Sequence, residues 1–314
     1  MDEPWFAALN ELGGLMLLVG CLMALYRRHG NKPEPLPQDN FTARGHLFGD
    51  TGILVFLVVI CVGGYLAEAA RLAVDAPPTA WASWIGYPLS KTLSVEAWTM
   101  LKPYMWWSHA LISLLFIAVL PLTKMFHAVA VIANVAVTNR ETRGNLSVMN
   151  VAEMMEDPEL DYENVSFGAS SVKDFTWKTL LDSVACTECA RCTSVCPAYT
   201  TGKPLSPMNI ITKIRHNLYE TQLGKEVQPL VGGLIQPDEL WSCTTCGACM
   251  EECPVLINHV PTFTEMRRHL TLAEGAPPTQ AAKSLENTSH AGNPWGIPAD
   301  RRLEWTEGAG VEVP

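Results

Sequence analysis

Two runs of four cysteines with the same internal spacing constrain what this chain can fold into: Cys186, Cys189, Cys192 and Cys196 followed by Pro197, and Cys243, Cys246, Cys249 and Cys253 followed by Pro254. Three cysteines separated by two residues each let one loop wrap three irons of a cubane. The fourth, after three residues and before proline, is directed to the other cluster where two such runs share a domain. The spacing therefore predicts two [4Fe–4S] clusters with crossed ligation. Cys186, Cys189, Cys192 and Cys253 would hold the first, and Cys243, Cys246, Cys249 and Cys196 the second. Ala190, Gly247 and Ala248 between the ligands suit loops that lie close to the cluster sulfides. The competing reading is a pair of structural zinc sites, but those usually show two separated Cys-x-x-Cys knuckles rather than four clustered cysteines ending in Cys-Pro. Nothing resembles a small secreted disulfide scaffold, so these cysteines read as reduced ligands.

With 314 residues, the chain has room for about two domains of ~150 residues. The net charge of −10 argues against a nucleic-acid partner, which would favour a basic face. Composition divides the chain. Residues 5–137 are dominated by Leu, Val, Ala, Ile and Trp, whereas residues 138–314 hold most of the acids and eight of the ten cysteines. The N-terminus opens with Asp2 and Glu3 rather than a basic stretch, so the first apolar segment is expected to be retained rather than cleaved.

Three stretches are apolar over the ~20 residues that a bilayer crossing requires: from about Trp5 to Tyr26, from His46 to Leu66, and from Met105 to Val137. The third is expected to continue through Pro121, and its last turns to project beyond a ~30 Å hydrocarbon core. The segment from Arg71 to Pro103, with Trp81, Trp84 and Trp98, reads as an interfacial loop with an aromatic belt. Arg27, Arg28, Lys32 and Arg44 follow the first span, and Lys124, Arg140 and Arg143 end the third. Basic residues mark the cytoplasmic side, which places the N-terminus outside and the cysteine-rich part in the cytoplasm. Cys21 and Cys61, alone in apolar spans, read as packing residues.

Ionisable residues inside a span are costly and often functional, and facing histidines on neighbouring helices are an ordinary way to ligate a b-type haem. His109 and His127 are separated by about five helical turns, which on one continuous helix puts both on one face about 27 Å apart. His46 opens the second span on the side where His127 ends the third, so the two could share one haem. His109 has no histidine at comparable depth on another span. Lys124 is expected to snorkel to the interface or to pair with a haem propionate. Glu11 and Glu68, near the outer end, are candidates for handling quinone protons.

The stretch Trp106-Trp107-Ser108-His109 through Leu120-Pro121-Leu122-Thr123-Lys124-Met125-Phe126-His127 resembles the last helix of nitrate reductase gamma subunits. The resemblance implies a quinol-reactive cytochrome b with one or two haems. His127 and His46 would then serve the haem nearer the cytoplasm and His109 the distal one, while Phe56 stands where that family has its second distal ligand. The stretch Asp174-Phe175-Thr176-Trp177-Lys178-Thr179-Leu180-Leu181-Asp182, the first cysteine run, and Thr201-Gly202-Lys203-Pro204-Leu205-Ser206-Pro207 are similar to iron–sulfur oxidoreductases related to heterodisulfide reductase. Full-length relatives of that kind carry Cys-Cys-Gly domains downstream, and no adjacent cysteines occur here. The catalytic head is therefore expected on another polypeptide.

The expected fold is mainly α. It comprises a transmembrane cytochrome b-like bundle of about three spans over residues 1–138, a linker over 139–173, a two-cluster ferredoxin-like domain over 174–270, and an extended C-terminal tail over 271–314. Residues 206–240 would form a helical insert with Pro207 at a helix start. Neither a GxGxxG turn nor a Walker sequence is present, so no flavin or nucleotide site is expected. The function these features imply is a membrane-bound electron-transfer subunit of the inner (cytoplasmic) membrane. It would relay electrons between quinone, through haem b, and a cytoplasmic redox subunit of the hydrogenase, electron-transfer flavoprotein or heterodisulfide reductase type. The alternatives are an iron–sulfur enzyme acting directly on a substrate, and a membrane-tethered metal-binding sensor or assembly protein.

Overall fold

The computed structural model describes residues 3–30, 49–138, 146, 148, 156 and 167–310. Among the described residues there is no strand, only an isolated bridge between Val231 and Ile235.

The N-terminal part contains α1 (Pro4–His29), α2 (Gly49–Asp75), the short α3 (Gly86–Ser90), α4 (Val95–Val119) and α5 (His127–Ala136). Pro4 opens α1 where its missing N–H costs nothing, and Arg27, Arg28 and His29 close it against the negative end of the helix dipole. Ser94 caps α4 by accepting a hydrogen bond from the Ala97 N–H. α2 lies between α1 and α4. Three helices are long and apolar enough to cross a membrane, Pro4–His29, Thr51–Asp75 and Val95–Leu122, and little of their most apolar stretches is buried inside the protein, none at all for the third. Leu17, Val59 and Leu114 point outward. A bundle in water would bury such side chains, whereas in a bilayer the lipid tails take that role.

The spans differ from their sequence expectation in two respects. α2 continues past Leu66 to Asp75, and α4 begins at Val95 rather than near Met105. The expected interfacial loop is therefore shorter, and Trp98 is buried against Ala69 and Ala70 instead of facing an interface. More consequentially, the third span does not run unbroken to Val137. Proline at 121 cannot donate a backbone hydrogen bond and crowds the preceding turn. α4 stops at Val119, residues Leu120–Leu122 tighten into a 3-10 turn, and Thr123 is extended (φ −111°, ψ 163°). Thr123 then caps a second 3-10 turn, Lys124–Phe126, before α5 begins at His127. His109 and His127 do not lie on one continuous helix, so the common face expected for them on that basis does not follow.

The C-terminal part is built on α6 (Trp177–Ala185), α7 (Pro207–Gln222) and α8 (His259–Arg268), with single helical turns at Arg191–Ser194, Pro197–Thr200, Pro237–Trp241 and Ala248–Glu251. Pro207 does begin a helix, behind the Ser206 cap. Ile210, Ile214, Leu230, Ile235, Leu240, Phe263 and Met266 form the core. Within the stretch expected as an extended arm lie α9 (Thr279–Ala291) and a 3-10 segment, Ala299–Thr306, neither with a buried residue. α5 packs against α6, joining the membrane part to the cysteine-rich part.

Candidate metal centre

The two cysteine loops repeat each other at a shift of 57 residues, Cys186 onto Cys243. Their backbones repeat too. Glu188 (φ 55°) and Thr245 (φ 56°) are left-handed at one position, Ala190 (φ 62°) and Gly247 (φ 77°) at the next. Left-handed residues inside a tight loop turn successive N–H groups to one side, which makes a concavity suited to anions. The Glu188 N–H is directed to Cys186, and the Thr245 N–H donates to the Cys243 sulfur at 3.4 Å. The Ile257 N–H donates to the Cys253 sulfur, also at 3.4 Å.

The structure brings the eight cysteines together in two sets. Cys186, Cys189 and Cys192 line one cavity together with Cys253 from the other run, beside Met208, Ile257 and His259. Cys243, Cys246 and Cys249 line the other with Cys196, beside Pro207, Val260 and Phe263. The cavities enclose about 280 and 290 Å³, open mouths included. α7 and α8 each send their first residues to both, so two helix N-termini lie between the sets, where their partial positive charge favours anionic groups. The sets adjoin: Cys186, Cys192, Cys249 and Cys253 belong to one buried group of side chains.

Among the described residues no three Cys, His, Asp or Glu side chains converge on a point that a single ion could fill. Each set surrounds a volume instead. Four cysteines around each cavity suit a polynuclear centre, whereas a tetrahedral zinc ion needs all its ligands ~2.3 Å from one point. Burial pushes the Cys186 thiol up to about 11 and the Cys249 thiol up to about 12, with neighbouring thiols adding to the shift at Cys249. Four thiolates so enclosed require a cationic centre, and loading it releases their protons.

Two arginines repeat the pseudo-symmetry. Arg215 of α7 donates to the Cys186 carbonyl at 3.0 Å, and Arg267 of α8 donates to the Cys243 and Leu240 carbonyls while lying over the Trp241 ring. Each guanidinium therefore fixes the first cysteine of one run. The sets differ in what covers them. Around the first loop, Glu188 is buried between Arg215 and Lys124, the latter at 2.6 Å. Lys124 is thus drawn onto the cysteine loop rather than free to snorkel. Asn134 of α5 donates to the Val255 carbonyl at 2.9 Å and accepts from Lys178 at 2.8 Å. Lys178 also pairs with the buried Asp182, which receives the Asn258 N–H. Burial holds the Asp182 carboxyl above the usual carboxylate range. On the second loop Thr244, Thr245 and Cys246 are exposed. His259, whose Nδ1 bonds the Ile257 carbonyl, is fully buried and pushed down to about 4, hence neutral.

Of the membrane histidines, His46 lies outside the described residues. The His127 Nδ1 meets the Lys124 carbonyl at 2.5 Å, which leaves Nε2 for another partner. His109 packs against Gly63 and Gly64 of α2, and its buried Nδ1 has no hydrogen-bond partner among the described residues. Phe56 stacks on Phe116. The Glu11 carboxylate accepts the Ile85 and Gly86 N–H groups, and Glu68 is held by Arg71 and Ser83, so both acids anchor the loop leading into α3. Sequence reasoning missed Glu188, Arg215, Arg267, Asn134 and His259. No motif carries them, and only the identical offset of the two cysteine loops hinted that residues flanking each run act in pairs.

Residues 182–257 match the 4Fe-4S dicluster domain family. Over 98% of its length the chain is 30% identical to an "EtfAB:quinone oxidoreductase" of Syntrophomonas wolfei, covering 46% of that protein. It is 29% identical over 99% of its length to a "Probable iron-sulfur-binding oxidoreductase FadF" of Bacillus subtilis, covering 48% of that protein. Half of the chain is 37% identical to a "Probable membrane-anchored ferredoxin" of Chromohalobacter salexigens, covering 26% of it. The chain thus spans about half the length of the first two of these relatives and less of the third. No solved structure matches it.

Proposed function

We propose that this chain is a membrane-bound electron-transfer subunit in which Cys186, Cys189, Cys192 and Cys253 hold one [4Fe–4S] cluster and Cys243, Cys246, Cys249 and Cys196 a second. It would pass electrons between a lipid-soluble quinone and a soluble redox protein on the cytoplasmic side of the inner membrane. The observation that carries this reading is the pairing of each run of three cysteines with the last cysteine of the other run, around adjoining cavities joined directly to a helix leaving the apolar bundle. The quinone part draws support from the activity for which the Syntrophomonas relative is named, which also points to an electron-transfer flavoprotein as the class of soluble partner.

A b-type haem held by His46 and His127 belongs to the same proposal. Its support is the Lys124 carbonyl on the His127 Nδ1, since metal-bound histidines commonly engage their other nitrogen in this way. A second haem on His109 is not included, because no second histidine faces that ring among the described residues and Phe56 stacks on Phe116 where a partner ligand was expected.

Iron and sulfide analysis of the purified chain, with a reduced-minus-oxidised spectrum, tests the proposal. About nine irons per chain are expected, eight of them matched by about eight sulfides in two clusters and one in haem, with a b-type absorption band. Zinc in place of iron would overturn the cluster reading, and iron without the band would remove the haem alone.

A further inference from the structure

The two cysteine sets do not stand alike toward the membrane. The polar ties that join the membrane part to the cysteine-rich part reach the neighbourhood of the first set. Lys124 pairs with Glu188, which lies between Cys186 and Cys189 in the loop. Asn134 bonds the carbonyl of Val255, two residues beyond Cys253. Val131 of α5 packs on the buried group that contains three cysteines of the first set, Cys186, Cys192 and Cys253, and one of the second, Cys249. Arg215, which closes the ion triad from behind, bonds the carbonyl of Cys186 itself. Each loop exposes one cysteine, Cys189 or Cys246, but Thr244 and Thr245 of the second loop are exposed too, where Glu188 of the first is buried.

From this asymmetry we infer that the Lys124–Glu188–Arg215 triad and the Asn134 bridge dock the membrane exit on the first cysteine set, making that set the membrane-side station and the Cys243–Cys246–Cys249–Cys196 set the outlet to a one-electron protein partner. The inference rests on the function proposed above. A quinol oxidised at the membrane gives up two electrons and two protons. The protons would leave to water, and the electrons would enter a cluster held by the first set one at a time before one held by the second, past Cys192 and Cys249, which belong to one buried group; no bond would form or break at the cysteines. The reverse flow uses the same order. Lys124, Glu188, Arg215 and Asn134 are positioning residues here. One buried carboxylate shared by two cations ties the loop to the membrane part: without Glu188 the two cations would be left unpaired, whereas without Lys124 the Glu188–Arg215 pair would remain and only the tie would be lost.

The test uses the full chain in lipid vesicles, a reduced naphthoquinol as donor, and low-temperature electron paramagnetic resonance of rapidly frozen samples. Cys189→Ser and Cys246→Ser assign the signals, since each alters one set and leaves a weaker ligand in place. In the unsubstituted chain the signal altered by Cys189→Ser is expected first and the signal altered by Cys246→Ser second. The opposite order overturns the inference while leaving the proposed function standing. Reduction of neither set by the quinol, with both reducible by dithionite, overturns the proposed function and the inference with it. Lys124→Gln and Asn134→Leu, which keep all eight cysteines, provide an independent readout. Both are expected to slow reduction of the first set by quinol and to speed chelator removal of iron from that set only. Because the second set would be filled through the first, its reduction by quinol should be delayed along with it; chelator removal sped equally from both sets, or from the second alone, would refute the docking role.

Discussion

Left-handed backbone at a residue with a side chain costs about 1–2 kcal/mol, and each cysteine loop bears this at one or two positions. At the second position one loop has glycine, Gly247, and the other has Ala190 at nearly the same angle (φ 62°). Ala190→Gly should therefore stabilise the first loop. The net gain is about 0.5–1 kcal/mol, because the unfolded chain gains freedom from the same change. A higher denaturation midpoint without loss of iron would confirm it. At the first position the strained residues are Glu188 and Thr245, and strain of this kind persists where surrounding contacts over-determine it. For Glu188 those contacts are Lys124 and Arg215. The thiols give a second prediction at this scale. A thiol with a higher pKa folded than unfolded stabilises the fold while protonated, and that contribution disappears as pH rises through the folded value. Burial moves Cys186 from 9.0 to about 11. The cluster-free chain should lose stability across that window as pH rises, whereas the loaded chain, whose sulfurs hold metal instead of protons, should not share this loss. Urea midpoints on either side of the ordinary thiol value, with and without iron, measure the difference.

Among the elements, α4 and α5 show where sequence periodicity misleads. Pro121 was visible, and apolar residues continue on both sides of it, so the run reads as one long helix. What hydropathy does not report is that the backbone freed by the proline is taken up by Thr123, in an extended conformation that restarts the chain in a new direction. The break gives α5 its own orientation, with Asn134 buried against the Val255 carbonyl and Lys178. That geometry can be tested at both ends. Asn134→Leu leaves the Val255 carbonyl short of a donor and removes an acceptor from Lys178. It should cost about 1–3 kcal/mol, the usual penalty for an unsatisfied buried group, read as a lower melting temperature in detergent. Pro121→Ala restores the missing N–H and lets α4 propagate, which should rotate α5 off α6 and expose the junction to protease, while the apolar spans stay protected. Unchanged cleavage would mean that Thr123 alone sets the break.

Across the whole molecule, the legible features were those whose chemistry is local in sequence. Each run of cluster ligands spans eleven residues, and membrane spans are continuous apolar stretches. The junction was not legible, because Glu188 and Arg215 are 27 residues apart, Lys124 and Glu188 64, and Asn134 and Val255 121. Each is an ordinary residue until the fold brings it to its partner. The crossed sets fall between these cases, since the spacing implies them but only the packing of α7 and α8 between the loops puts Cys253 with Cys186 and Cys196 with Cys243. Crossed ligation, as proposed, would also tie the halves of the domain together, so damage to one run should be felt in the other. Cys253→Ser, though it lies in the second run, is expected to alter the resonance signal that Cys189→Ser alters, and Cys196→Ser the signal that Cys246→Ser alters. With ligation confined to each run the pairing would be reversed, Cys253 following Cys246 and Cys196 following Cys189. Four spectra on equally loaded chains therefore separate the two schemes. Because all four substitutions keep a ligating oxygen, a changed signal rather than a lost fold is the expected readout.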